Sequence, residues 1–123
     1  MDDDVKILER LYERFNARDV DGVLVALADD VAWANGMDGG HVHGHEGVRA
    51  YWTRQWAMIS PHVAPVSFEH TADGAILVRV IQTIRDLDGK PLQDQAGGLK
   101  DRTVGHLFRL RDGKVARFDI QDA

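Results

Sequence analysis

No cysteine occurs among the 123 residues. That absence removes disulfide staples, thiolate nucleophiles and sulfur-ligated zinc together, and it fits a reducing compartment. No apolar run approaches the roughly 18 residues of a membrane-spanning helix. The chain opens on the acidic Met1-Asp2-Asp3-Asp4, with neither a basic n-region nor an apolar h-region, so a cytoplasmic protein is expected. Positive charge is also short: Lys and Arg number 15 against 20 Asp and Glu, for a net charge of −5, and the basic residues are scattered. Nucleic acid and anionic membranes are disfavoured as partners by that balance. Neither GxGxxG nor GxxxxGK[ST] is present, so no organic cofactor is implied.

What remains is ordinary for a folded chain. At 44% hydrophobic and 28% charged residues, disorder is not expected, and the length suits one domain, 1–123, with a core of its own. Leu8, Leu11, Tyr12 and Phe15 repeat at the spacing of an amphipathic helix over 4–17. Asp19 reads as the N-cap of a second helix over 20–28, carrying Val20, Val23, Leu24 and Leu27 and ended by Asp29-Asp30. Val31 to Ala34 is a short strand that runs into a glycine-rich loop, Asn35 to Gly44. A third helix over 45–59 places Val48, Tyr51, Trp52, Trp56 and Ile59 on one broad face, and Ser60-Pro61 stops it.

Everything after that reads as strand: Val63 to Thr71, Ala75 to Leu87, Arg102 to Arg111 and Val115 to Asp122. Asp73-Gly74, Asp88-Gly89 and Asp112-Gly113 supply turn signals, and Gly97-Gly98 marks a bulge or loop. Helices first and an antiparallel meander after them give an α+β fold. Pleat parity then sorts the faces. Ile76, Val78, Val80 and Ile84 form a row interrupted by Gln82; Val104, Phe108 and Leu110 one interrupted by His106; Phe118 and Ile120 one ending in Asp122; Val31 and Trp33 one ending in Asn35. One polar residue per apolar row is the pattern of a mostly apolar internal pocket with a few convergent polar groups.

Three stretches carry a resemblance: Phe15-Asn16-Ala17-Arg18-Asp19-Val20-Asp21-Gly22 through Leu27-Ala28-Asp29-Asp30-Val31-Ala32-Trp33, then Gly44-His45-Glu46-Gly47-Val48-Arg49-Ala50-Tyr51-Trp52, then His106-Leu107-Phe108-Arg109-Leu110-Arg111-Asp112-Gly113-Lys114-Val115. In that order they resemble the nuclear transport factor 2-like superfamily, in its SnoaL-like polyketide cyclase and ketosteroid isomerase-like branch. The resemblance implies a cone-shaped half-barrel, a curved sheet closed by three N-terminal helices around the pocket, usually paired as a homodimer through the outer sheet face. The isomerases of that branch use an Asp base facing a Tyr and a protonated Asp. The matching positions here hold Asn35, Leu11 and His106, so the resemblance does not extend to that steroid-isomerase chemistry. SnoaL-type cyclases, which use an aspartate and a histidine from the sheet, are the better likeness.

His106 is the leading candidate acid or base, because an imidazole takes or gives a proton near neutral pH; a core histidine bonded to a neighbouring carbonyl is the plain alternative. Asp122 is its candidate assistant or a base in its own right, against a frayed carboxylate near the chain end. Asn35 and Gln82 are candidates to hold a substrate oxygen. Trp33, Trp52 and Tyr12 form either an aromatic wall or ordinary core, with Val80, Phe108 and Ile120 beside them. His41, His43 and His45 alternate and invite a metal, but no fourth ligand or acidic partner stands at useful spacing; no metal is expected, and His43 is placed at the pocket mouth.

The function expected is proton transfer next to a carbonyl in a small hydrophobic or aromatic molecule: cyclisation, isomerisation or dehydration with His106 as acid or base. The alternative is a non-catalytic module that binds or sequesters such a molecule. A third reading is a structural dimer, which a cavity smaller than a small aromatic would favour. Outward-facing Leu77 and Ile81 among arginines suggest the dimer contact.

Overall fold

The apolar stripe at the start of the chain buries where its spacing predicts. In the computed structural model, which describes residues 3–36, 39–90 and 101–122, helix α1 spans Asp3–Asn16 and buries Leu8, Leu11, Tyr12 and Phe15. Asp3 and Asp4 lie in its first turn and Arg14 in its last, charges that complement the helix dipole. The predicted bulge at Gly97-Gly98 lies outside the described residues.

Just past α1, Arg18 adopts φ 63, a left-handed conformation uncommon for a residue with a side chain. Its guanidinium donates to the backbone oxygens of Phe15 at 3.2 Å and Pro61 at 2.6 Å and to Ser60 Oγ at 3.0 Å. It also lies over the rings of Phe15 and Trp56, 5.8 and 5.1 Å from their centroids. One side chain thus ties the end of α1 to the start of the sheet. Arg18→Ala is expected to cost about 2 kcal/mol, from charged hydrogen bonds and the cation–π contacts. Arg18→Lys should recover little of it, because an ammonium lacks the planar fork that reaches three acceptors. Denaturant midpoints of the two variants check this.

Helix α2, Val20–Leu24, is capped by Asp19, whose carboxylate accepts from Gly22 N at 3.0 Å. It is shorter than the predicted 20–28. Strand β1 takes over at Leu27–Ala34, because Leu27 pairs with Val115 and the Ala26 carbonyl accepts the Val115 N–H at 2.8 Å. Asp29 and Asp30 are exposed strand positions, not a helix stop. The predicted glycine-rich loop also contains a strand: β2, His41–His43, pairs antiparallel with β1 and sets Val42 across from Trp33. Helix α3 follows as Gly44–Trp56.

The meander is β3 (Ser60–His70), β4 (Ile76–Arg85), β5 (Arg102–Arg111) and β6 (Lys114–Asp122), with every neighbouring pair antiparallel. The described strands make one sheet in the order β2-β1-β6-β5-β4-β3, in which only the β1–β6 pair is parallel. Pro61 and Pro65 sit on β3, an edge strand, where a missing N–H is tolerated. Register shifts at Pro65/Ser67, Arg109/Leu110 and Leu27/Ala32 bend the strands, and α1 and α3 pack against β3 and β1. The result is the curved, unclosed α+β cone that the resemblance implies.

Candidate functional site

Two polar side chains are buried among the described residues, His106 and Gln55, each 6% exposed. Both line one cavity between the sheet and the helices.

His106 sits mid-strand in β5, directly across from Val78 on β4 and Ile120 on β6. Facing positions in antiparallel strands share a side of the sheet, so its ring joins the apolar inner row. Its Nδ1 lies 2.7 Å from the Tyr12 hydroxyl, brought by α1 from 94 positions away. The two rings are nearly parallel, 8° apart, and the Phe118 ring meets the imidazole edge-on at 4.8 Å. Burial, and secondarily the positive charge of Arg102, push the His106 pKa down to about 3. Burial likewise raises the Tyr12 hydroxyl well above its ordinary value. Both groups are therefore neutral at physiological pH. The second imidazole nitrogen, Nε2, makes no hydrogen bond among the described residues.

Gln55 stands on α3, one turn after Tyr51. Its Nε2 donates to the Tyr51 hydroxyl at 3.0 Å, and that oxygen also accepts the Gly36 N–H at 3.0 Å. Around these groups the wall is aromatic. Trp33 stacks on Phe118 at 4.1 Å and meets Trp52 edge-on at 5.2 Å, and Trp52 in turn contacts Phe15 at 5.5 Å. No carboxylate is among the lining residues described. The cavity measures about 70 Å³. The inner space is thus smaller than the ~150 Å³ that admits benzene.

Of the residues singled out from sequence, His106, Gln82, Trp33, Trp52, Tyr12, Phe108 and Ile120 are brought together around this space. Three are not. Val80 is wholly buried in the sheet row below it. Asn35 leaves the strand in a turn closed by backbone bonds with Gly39 and Gly40, and Gly36 takes the lining position instead. His43 is exposed on the opposite side of the edge strand from Val42 and Trp33, so it points away from the cavity. Asp122 pairs by its backbone with Val104; its side chain lies outside the described residues. Tyr51, Gln55 and Gly36 were not foreseen. The available signal was a glutamine four residues after Tyr51 on an otherwise apolar helix face.

The three alternating imidazoles do not converge. His41 Nε2 lies 2.7 Å from Asp119 Oδ1, an acidic partner that sequence spacing does not reveal, while His45 Nε2 donates to the Leu27 carbonyl at 2.9 Å. Burial pushes the Asp119 carboxyl up, but hydrogen bonds from Arg117 and His41 outweigh it and hold the group below its usual range. No cluster of three or more metal-ligating side chains occurs among the described residues. Among the described residues no helix is long and apolar enough to cross a membrane.

No curated protein matches the sequence. Among solved structures, a nuclear transport factor 2-like protein of unknown function from Burkholderia pseudomallei K96243 is 27% identical, with a TM-score of 0.80 over 100% of this chain and 92% of that one. TerC, co-crystallised with polyporic acid, is 23% identical with a TM-score of 0.79 over 98% and 92%. A candidate polyketide cyclase from Sinorhizobium meliloti is 20% identical with a TM-score of 0.76 over 94% of each chain. These likenesses establish the fold. In sequence, residues 8–118 match the SnoaL-like domain, and the chain belongs to that family.

Proposed function

We propose that the cavity takes a small, flat, mainly apolar carbonyl compound and that the chain catalyses proton transfer beside the carbonyl, as cyclisation, isomerisation or dehydration. The observation that carries this reading is the Tyr12–His106 pair. A buried neutral imidazole is anchored through Nδ1 and keeps Nε2 for a ligand, inside an aromatic wall. With Tyr12 donating its O–H to Nδ1, Nε2 carries the ring hydrogen and donates it to the carbonyl oxygen. In a water-poor site such a donor stabilises the negative charge that grows on oxygen as the neighbouring carbon gives its proton to a base, the role we propose for the Asp122 carboxylate, and a neutral imidazole suits the donor's task. A pKa of about 3 makes His106 a poor base, so its part is on the oxygen side of the reaction. The test is hydrogen–deuterium exchange at the carbon beside the carbonyl, followed by NMR for a panel of aryl ketones and β-dicarbonyls in heavy water. Accelerated exchange is the expected result; a compound that binds the cavity without exchanging returns the chain to the binding reading.

That second reading, a non-catalytic binding or sequestering module, is favoured by the absence of a described carboxylate, whereas an inner volume of about 70 Å³, below that of a small aromatic, favours the third, a structural dimer. For either of the first two readings the aromatic wall has to yield to admit a ring, since the cavity measures about 70 Å³. We further propose action in the cytoplasm, in keeping with the cysteine-free composition, and a homodimer through the outer sheet face. There Ile81 is 49% exposed and Leu77 stands across from Leu107. Sedimentation velocity at micromolar concentration should show a dimer, and a monomer alone would exclude it.

A further inference from the structure

We propose that Gln55 sets ligand specificity: its amide oxygen accepts a hydrogen bond from a hydroxyl on the bound compound, so that the cavity selects hydroxylated rings over bare or methylated ones. This rests on the reading of the cavity as a small-molecule site.

The side chain is 6% exposed and lines the cavity. Its Nε2 is committed to the Tyr51 hydroxyl, which is itself held by the Gly36 N–H, so the amide has a fixed orientation. Its Oε1 makes no hydrogen bond among the described residues. The oxygen keeps solvent access, unlike Trp56 Nε1, which is buried without a partner among the described residues, so a ligand hydroxyl can replace water on it. The described groups supply no donor, while the cavity opens beside it. His106 repeats the arrangement, with one polar atom on a tyrosine hydroxyl and the other left over. The two leftovers differ in kind, since an amide oxygen only accepts whereas imidazole Nε2–H donates. A ring with a carbonyl for His106 and a hydroxyl for Gln55 satisfies both.

The probes are 4-hydroxyacetophenone, 4-methoxyacetophenone and acetophenone, titrated by NMR against the wild-type chain, Gln55→Leu and Gln55→Met. Wild type should bind the hydroxy compound about three- to tenfold more tightly than the other two, the worth of one net hydrogen bond. In both variants the three affinities should fall within about twofold of one another. Acetophenone, which offers Gln55 no hydroxyl, should change affinity less than the hydroxy compound does, and both variants should remain folded. A hydroxyl preference that survives in the variants, tighter binding of the methoxy compound, or variants that both fail to fold would overturn the role of Gln55. In each of these cases wild-type acetophenone binding that perturbs the Trp33 and Trp52 indole signals preserves the small-molecule site. If none of the three probes perturbs those signals, the site and the role of Gln55 fall together.

Discussion

His106→Asn is expected to slow the proposed exchange reaction by a hundredfold or more, the low end of what one positioned oxyanion donor contributes, because the shorter amide does not place its N–H where the imidazole Nε2–H stands, and at the same time to make the protein less sensitive to acid. The second effect follows from linkage. Folded, the imidazole titrates at about 3 against an ordinary value of 6.5, so between those limits the unfolded chain takes up a proton that the folded chain excludes. The stability is fully present above pH 6.5 and falls as acid is added, by up to about 1.4 kcal/mol per pH unit from this one group. Asparagine does not titrate. Denaturant unfolding at intervals from pH 7 to 4.5 should therefore give wild type the steeper loss. That window lies above the range in which the Asp73 carboxyl, held at about 2 first by its bond from Thr71 and then by Arg109, contributes. Equal slopes for the two proteins would mean that His106 is not desolvated, and unchanged turnover would remove it from the chemistry.

Trp52→Ala carries the largest expected loss of stability, about 3–5 kcal/mol, the range for an aromatic removed from a packed core. The indole is 1% exposed and contacts Phe15, Trp33 and Trp56. It also lines the cavity, so the space it vacates joins the inner chamber. A ligand of acetophenone size should then raise the stability of the variant more than that of wild type, since the ligand restores lost contacts. Trp52→Phe, which keeps a ring, should lose less than half as much. A cost under about 1 kcal/mol for the alanine variant would show that the indole is not part of the core, since core truncations of this size cost several times more.

Both substitutions were legible as targets before any coordinates, and for reasons local to the sequence. Trp52 falls on a helical face, and His106 breaks an apolar row whose parity survives folding because the strands around it pair in simple register. The turns were legible too: Gly74, Gly89 and Gly113 all take positive φ, joined at the last by Asp112. What escaped was fixed from a distance. Val20, Val23, Leu24 and Leu27 have the spacing of one helix, but the parallel ladder to β6 claims Leu27 for a strand. No local pattern announces that ladder, nor that Asp119 comes to lie beside His41. Gln55 escaped for a different reason: a polar residue on an apolar helix face is discounted unless its partner, Tyr51, is tested at the same time.

The parallel β1–β6 pair has a consequence for how the molecule is made. A ribosome releases the chain from its N-terminus, so α1, α2 and β1 emerge first, yet β1 borders only the three-residue β2 until β6 has cleared the exit tunnel. Before that moment the inner flank of β1 is an open edge with Val31 and Trp33 beside it, the kind of surface that draws unwanted pairing. Asp29 and Asp30 are exposed on the same strand, charges of the kind that discourage such pairing. Synthesis stalled before Lys114 should leave a nascent chain that is protease-sensitive through β1 and recruits chaperones, and the last nine residues of the sheet should convert it within one cooperative step.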